Sequence, residues 1–172
     1  MIMKHSVKIS MLVFVAMFAF NSVANAQKWA YQASFNEGRA CVKDKNGKWG
    51  YIDESGKVIS PCKWRSNMYY KEGLGCVMND DELYGYLDLD GKEVIPCQFV
   101  YAYFFSEGLA AVAIREDYSR KYGYIDKTGK IVIPCQWENA YSFENGKAKV
   151  QVKLEDGQRV WKKIDKTGKY VE

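Results

Sequence analysis

The sequence predicts an all-β protein built from four tandem copies of one short unit. The stretches 27–61, 62–96, 97–134 and 135–172 align from end to end, with lengths of 35, 35, 38 and 38 residues. Each stretch alternates residues that favour strands with residues that favour turns, and none shows helical periodicity over three turns. We therefore expect a single repeat domain, 27–172, in which each copy packs on its neighbours.

Two aromatic residues, six positions apart, begin each copy. The first aromatics are Trp29, Trp64, Phe99 and Trp137. The second aromatics are Phe35, Tyr70, Phe105 and Phe143. A glycine follows three positions after the second aromatic and a valine four positions after the glycine, and all length differences between copies fall behind this valine. That distribution predicts a surface loop between two strands.

The second half of each copy centres on an aromatic–Gly–aromatic–aliphatic–Asp run, such as Trp49-Gly50-Tyr51-Ile52-Asp53. The Asp, with a glycine three residues later, indicates a type I turn. A short apolar run follows and ends at proline in three copies, where we expect the strand to close because proline has no N–H to donate. The pattern predicts three strands per copy, about eleven or twelve in all.

We expect these three-stranded antiparallel units to form an open twisted array. A closed, four-bladed ring like a propeller is the alternative, and contact between the first and last copies would distinguish it. The glycine between two aromatics leaves one strand face bare, and we expect a neighbouring ring to lie over it. Lys162 replaces this glycine in the fourth copy and is expected to give the stack a polar end.

Together, F-x-x-G-x-A-x-V, (W/Y)-G-Y-(I/L)-D-x-x-G-K and (V/I)-I-P resemble the motifs of the WG-repeat family, also called KWG repeats. The resemblance covers all four copies. It implies β-rich repeat modules, often on exported proteins, and it transfers no catalytic residues to this chain. The fourth copy departs from the motif, because it has Lys162 for the glycine and lacks the closing proline.

Residues 1–26 have the pattern of an export signal peptide. Lys4 and Lys8 precede an apolar stretch over residues 9–20, and Ala24-Asn25-Ala26 forms an A-x-A cleavage site. An uncleaved membrane anchor is the alternative, but a bilayer requires roughly twenty apolar residues. We expect the mature protein in the periplasm or outside the cell.

Cleavage would leave 23 Lys and Arg against 21 Asp and Glu, with no polybasic run, which disfavours nucleic acid as a partner. It would also remove His5, the only histidine of the chain. Histidine-dependent nucleophile activation and His-liganded metal sites are thereby disfavoured. We predict a protein that is not an enzyme, with no catalytic residues, no metal and no cofactor.

Five cysteines recur at two places in the repeat. Pairing Cys41 with Cys62 and Cys76 with Cys97 gives two disulfides with equal spacing, and it leaves Cys135 as a free thiol. An exported protein permits such bonds. The alternative is that the cysteines are small buried residues with free thiols.

The predicted function is a non-catalytic scaffold for protein–protein interaction in the cell envelope or outside the cell. The alternative is a glycan or cell-wall binding module, since hairpin 47–57 also resembles the aromatic hairpins of choline-binding repeats. The partner is accordingly an envelope protein or a cell-wall glycan. The candidate binding residues are the aromatics Trp29, Trp49, Trp64, Tyr84, Tyr122 and Trp137.

Overall fold

The computed structural model describes residues 29–172, which form sixteen β-strands and no helix. The predicted signal peptide, with His5, lies outside the described residues. The strands are β1 (Tyr31–Gln32), β2 (Arg39–Lys43), β3 (Trp49–Asp53), β4 (Val58–Trp64), β5 (Ser66–Lys71), β6 (Leu74–Met78), β7 (Tyr84–Leu87), β8 (Glu93–Phe99), β9 (Tyr101–Ala102), β10 (Ala110–Glu116), β11 (Ser119–Ile125), β12 (Ile131–Trp137), β13 (Asn139–Ala140), β14 (Lys147–Lys153), β15 (Arg159–Asp165) and β16 (Tyr170–Val171).

The strands form four antiparallel sheets, each made of four strands that are consecutive in the chain. We call them sheet 1 (β1–β4), sheet 2 (β5–β8), sheet 3 (β9–β12) and sheet 4 (β13–β16). The all-β class is confirmed, but three strands per copy was wrong, because the connector adds an edge strand to each sheet. Three of these edge strands are only two residues long, which is too short for alternation to be visible in the sequence.

Successive sheets pack face to face through shared hydrophobic clusters. Tyr51 of sheet 1 packs with Val77 and Leu87 of sheet 2, and Tyr124 of sheet 3 packs with Val150 of sheet 4. No hydrophobic cluster within residues 29–172 joins sheet 1 to sheet 4. The four repeats therefore form the open array, and the closed ring is not observed.

The prolines do not close the strands, contrary to the prediction. β4 continues through Pro61 to Trp64, and β8 and β12 continue in the same way. Each of these strands lies at the edge of its sheet, where a residue without an N–H is tolerated. Trp49 pairs with Trp64 and Tyr51 with Ser60, so three residues of β4 bulge opposite Gly50 alone.

This bulge explains the glycine of the aromatic–Gly–aromatic run. A Cβ added to Gly50 would lie 2.6 Å from the Ser60 carbonyl oxygen, and one added to Gly85 would lie 2.5 Å from that of Ile95. The expectation that a neighbouring ring covers the glycine was wrong, since the backbone of the adjacent edge strand fills the space. β16 pairs with β15 in regular register, so sheet 4 accommodates Lys162 at the equivalent position.

Candidate functional site

The six candidate aromatics occupy different places and do not form one surface. Trp64, Tyr122 and Trp137 are buried, with exposed fractions of 4%, 8% and 3%. Trp29, Trp49 and Tyr84 are half-buried at the margins of three hydrophobic clusters. The buried rings therefore offer a ligand no accessible face, and their first role is packing.

The second aromatic of each aromatic–Gly–aromatic run links its sheet to the next one. Tyr51, Tyr86 and Tyr124 are fully buried, and each phenol donates a hydrogen bond to a backbone carbonyl of the following sheet. These bonds measure 2.6 Å from Tyr51 Oη to Met68 O and 2.6 Å from Tyr86 Oη to Tyr103 O. Burial raises the pKa of Tyr51 and Tyr86, so both remain protonated donors at neutral pH.

A second link joins successive sheets at their first hairpin turns, and we call it the glutamate ladder (Glu37, Glu72 and Glu107). The Glu37 carboxylate accepts the backbone N–H groups of Glu72 and Gly73, both at 2.8 Å. Glu72 accepts those of Glu107 at 2.6 Å and Gly108 at 3.0 Å. Glu107 in turn accepts the N–H of a fourth turn, Gly146, at 3.0 Å. Each carboxylate therefore binds the turn of the next repeat.

The ladder glutamates have an unusual backbone conformation. Glu37, Glu72 and Glu107 have φ values of 49°, 55° and 55°, and each precedes a glycine with positive φ. Asn is preferred over Glu at such a turn position. The sequence analysis did not identify the ladder, although a Glu-Gly dipeptide recurs at this turn in the first three copies and could have indicated it. Asn145 occupies the equivalent position in sheet 4 and has no carboxylate.

The ladder carboxylates are stabilised in their charged form. Partial burial raises the pKa of Glu72, but hydrogen bonds from Gly108, Glu107 and Lys127 outweigh this, and the pKa lies below the ordinary 4.5. A hydrogen bond from Lys166, with others from the fourth turn, likewise lowers the pKa of Glu107. Both groups are ionised at neutral pH and serve as acceptors between repeats.

The repeated aspartates have the turn role that the sequence predicted. Asp53 Oδ1 accepts the backbone N–H of Ser55 at 2.9 Å and that of Lys57 at 3.0 Å. Hydrogen bonds from Ser55 and from the turn backbone lower the pKa of Asp53. Asp126 and Asp165 make the same contacts in their own turns. Their oxygens hold backbone donors, which leaves them poorly placed for acid–base chemistry.

The predicted disulfides are not present in residues 29–172. Cys41 packs in the cluster of Tyr51, whereas Cys62 packs against the cluster of Val42. Since consecutive strand residues point to opposite faces, Cys41 and Cys62 lie on opposite sides of sheet 1. A bond between them would have to cross the sheet.

The other predicted pair has the same arrangement. Cys76 packs with Tyr86 on one side of sheet 2, and Cys97 packs against the cluster that sheets 1 and 2 share. Burial raises the pKa of Cys97 to about 12 and that of Cys41 to about 11. Cys135, predicted to be the unpaired thiol, is half-buried, and burial raises its pKa too. The reactive thiolate form is therefore scarce at neutral pH.

The outward face of sheet 4 differs from those of the other sheets. Lys149 and Lys163 are directly opposite each other on β14 and β15, and both are exposed. In sheet 3 the matching pair is Ala111 and Tyr124, which are fully buried against sheet 4. Lysines at the positions that elsewhere contact the next sheet form the polar end. The prediction that Lys162 forms this polar end was wrong. Lys162 is paired with Val150, which packs against sheet 3, so Lys162 lies on the other face of sheet 4.

Two exposed rings lie beside these lysines. Tyr141 and Trp161 stack with their centroids 4.9 Å apart and their planes at 18°, and they are 47% and 43% exposed. The residues that line a groove of about 760 Å³ include Tyr141, Lys149 and Lys163. We call this surface the terminal face, consisting of Tyr141, Lys147, Lys149, Trp161 and Lys163. None of these five residues is among the candidate aromatics.

Four similar sheets stacked in sequence order define a tandem β-repeat protein. A sequence profile described as WG containing repeat matches residues 32–49, 49–82, 84–116 and 122–153. These matches cover well over half of the chain, which therefore belongs to the WG-repeat family, and the predicted four repeats are confirmed. A search of curated proteins found no match. Within residues 29–172 there is no helix of sufficient length and apolarity to span a membrane.

Proposed function

We propose that this protein is an exported, non-catalytic scaffold that binds a protein partner through the terminal face. The observation that carries the proposal is the exposure of this face. Sheets 1, 2 and 3 each bury the corresponding face against the next sheet, but Tyr141, Trp161 and the lysines around them are accessible. Exposed aromatic rings are enriched at protein interaction surfaces.

The non-catalytic part of the proposal is supported by the roles of the polar groups. The turn aspartates and the ladder glutamates accept backbone hydrogen bonds, and burial raises the pKa of the thiols of Cys41 and Cys97. Membership of a repeat family agrees with a binding role. Export is supported by the sequence of residues 1–26 alone, and N-terminal sequencing of the secreted form should find Gln27 first.

Site-specific photocrosslinking in intact cell envelopes tests the protein partner. A photoreactive phenylalanine analogue at position 163 should yield a discrete crosslinked protein, and the same analogue at position 57, an exposed turn residue of sheet 1, should not. If neither position captures a protein, the scaffold proposal is wrong. Capture at position 57 alone would show that the contact lies elsewhere on the array.

Glycan binding is the second candidate, and the stacked pair of Tyr141 and Trp161 favours it. Two exposed rings that lie nearly parallel offer an apolar platform to the face of a sugar. Trp161 is the only exposed tryptophan among residues 29–172, where the others are buried or half-buried, so its emission should shift when a cell-wall glycan binds. A Trp161→Phe variant identifies the responding ring, and no shift with any glycan would remove this candidate.

A further inference from the structure

We propose that the terminal face binds an extended acidic polypeptide segment, with carboxylates on alternate residues meeting the lysines of β14 and β15. This inference rests on the proposed function, since it assumes a protein partner, and it specifies the chemistry of that partner. Four observations carry it: the distribution of charge, a like-charged pair, the lack of ion pairs between this pair and the nearby acids, and the spacing of the lysines.

Positive charge is concentrated in the last sheet. Residues 139–172 contain eight Lys or Arg against five Asp or Glu, whereas residues 29–138 contain fourteen against sixteen. The net charge of residues 29–172 is therefore close to zero, but positive charge is in excess in sheet 4 and negative charge in the rest of the array. An acidic partner would be attracted to one end of the molecule and oriented by it.

Two of these charges oppose each other directly. Lys149 and Lys163 are cross-strand neighbours, and like charges in that arrangement destabilise a sheet. Neither lysine has an ion pair with another described residue. A polar end needed only for solubility would be served as well by charges of mixed sign. A local conflict without a compensating contact is typical of a binding position.

Two of the acidic residues nearby are already engaged, and a third, Glu144, is exposed and lines the same groove as Lys149 and Lys163 without an ion pair to either. Asp165 Oδ1 accepts the backbone N–H groups of Thr167 and Lys169 in the turn after β15. Glu138 forms an ion pair with Arg159 at 2.5 Å. None of these three carboxylates forms an ion pair with Lys149 or Lys163, so the ammonium groups of both lysines remain available to a ligand.

The spacing of the lysines indicates an extended chain. Lys147 and Lys149 are two residues apart on β14, which places them roughly 7 Å apart along the strand. The Lys147 ammonium also donates a hydrogen bond to the Glu172 oxygen at 2.9 Å, and a ligand carboxylate would share this donor. An extended peptide that carries carboxylates on alternate residues repeats at the same roughly 7 Å. The stacked rings of Tyr141 and Trp161 lie beside this row and provide an apolar surface for the intervening side chains.

Fluorescence polarisation of a labelled Glu-Thr repeat peptide of about twelve residues tests the proposal, with the mature protein at about 50 mM salt. Wild-type protein should bind it saturably and should not bind a Gln-Thr peptide. The double variant Lys149→Gln and Lys163→Gln should bind about tenfold more weakly or worse. A matched double variant, Lys45→Gln and Lys57→Gln, removes the same charge from sheet 1 and should bind as wild type does.

Equal weakening in both double variants would mean diffuse attraction and would overturn the proposal. So would the absence of peptide binding, or binding of polygalacturonate in place of the peptide. Urea unfolding should show that both double variants fold. The photocrosslinking experiment separates the two proposals, since a protein captured at position 163 without peptide binding refutes only the acidic segment. Failure of capture at every position refutes the scaffold itself.

Discussion

The glutamate ladder gives the most specific prediction about stability, and Glu72→Gln is the substitution that tests it. Glu72 accepts two backbone N–H groups of the next repeat, at 2.6 Å and 3.0 Å, and lies 3.4 Å from the Lys127 ammonium. Glutamine keeps the size of the side chain and one carbonyl oxygen. Its amide group would face an N–H donor, so one of the two bonds is lost and the other becomes a neutral one.

The expected destabilisation follows from these contacts. A hydrogen bond to a charged group contributes about 1.5–3 kcal/mol to stability. The Glu72 side chain is 27% exposed, so water replaces part of what is lost, and we expect about 1–2 kcal/mol in the free energy of unfolding. Urea unfolding followed by far-ultraviolet circular dichroism measures it. Glu54→Gln, at an exposed turn residue of sheet 1, is the control and should change stability little.

The pH dependence provides an independent check. Because the pKa of Glu72 is lower in the folded protein than the ordinary 4.5, its contribution is complete above that value and is lost as the pH falls below it. The difference between wild type and Glu72→Gln should therefore be full at pH 7 and shrink progressively below pH 4.5. If Glu72→Gln and Glu54→Gln are equally stable at pH 7, or if the difference persists unchanged in acid, the ladder does not stabilise the array.

Three further predictions concern the packing of the sheets. Gly85→Ala should destabilise by about 3 kcal/mol, because the new Cβ would lie 2.5 Å from the Ile95 carbonyl oxygen, while Lys162→Ala, at the matching place in sheet 4, should be nearly neutral in thermal unfolding. Tyr86→Phe should cost about 1 kcal/mol in urea unfolding, since it removes the bond to Tyr103 O and leaves that carbonyl without its donor. Mass spectrometry of unfolded, alkylated protein without reductant should find five modified cysteines, and three or fewer would restore a disulfide.

Much of the fold could be predicted because it depends on local chemistry. The Asp-x-x-Gly turns are formed by Asp53 and its counterparts, whose side chains bind backbone groups only two and four residues ahead. The spacing of aromatics and glycines gave the number of repeats for the same reason. Alternation along β3 correctly placed Tyr51 and Trp49 on one side of the strand, since that geometry belongs to any extended chain.

The candidate site was harder to predict, since it depends on which surface is left uncovered. The sequence favoured Trp64 and Trp137, which are buried, and did not point to Tyr141 and Trp161, which are accessible. All four are aromatic residues in strand-rich segments. The difference is that three sheets are followed by another described sheet and the fourth is not.

The amino-acid sequence by itself determined the repeat, the turns and the strand faces, because each depends on a few neighbouring residues. Only the tertiary structure decided that backbone covers Gly50, that Cys41 and Cys62 lie on opposite sides of a sheet, and that Glu72 reaches the next turn. Each of these facts depends on the register between strands and on the order in which sheets stack. Register and stacking order are relations between distant parts of the chain, and no local sequence pattern encodes them.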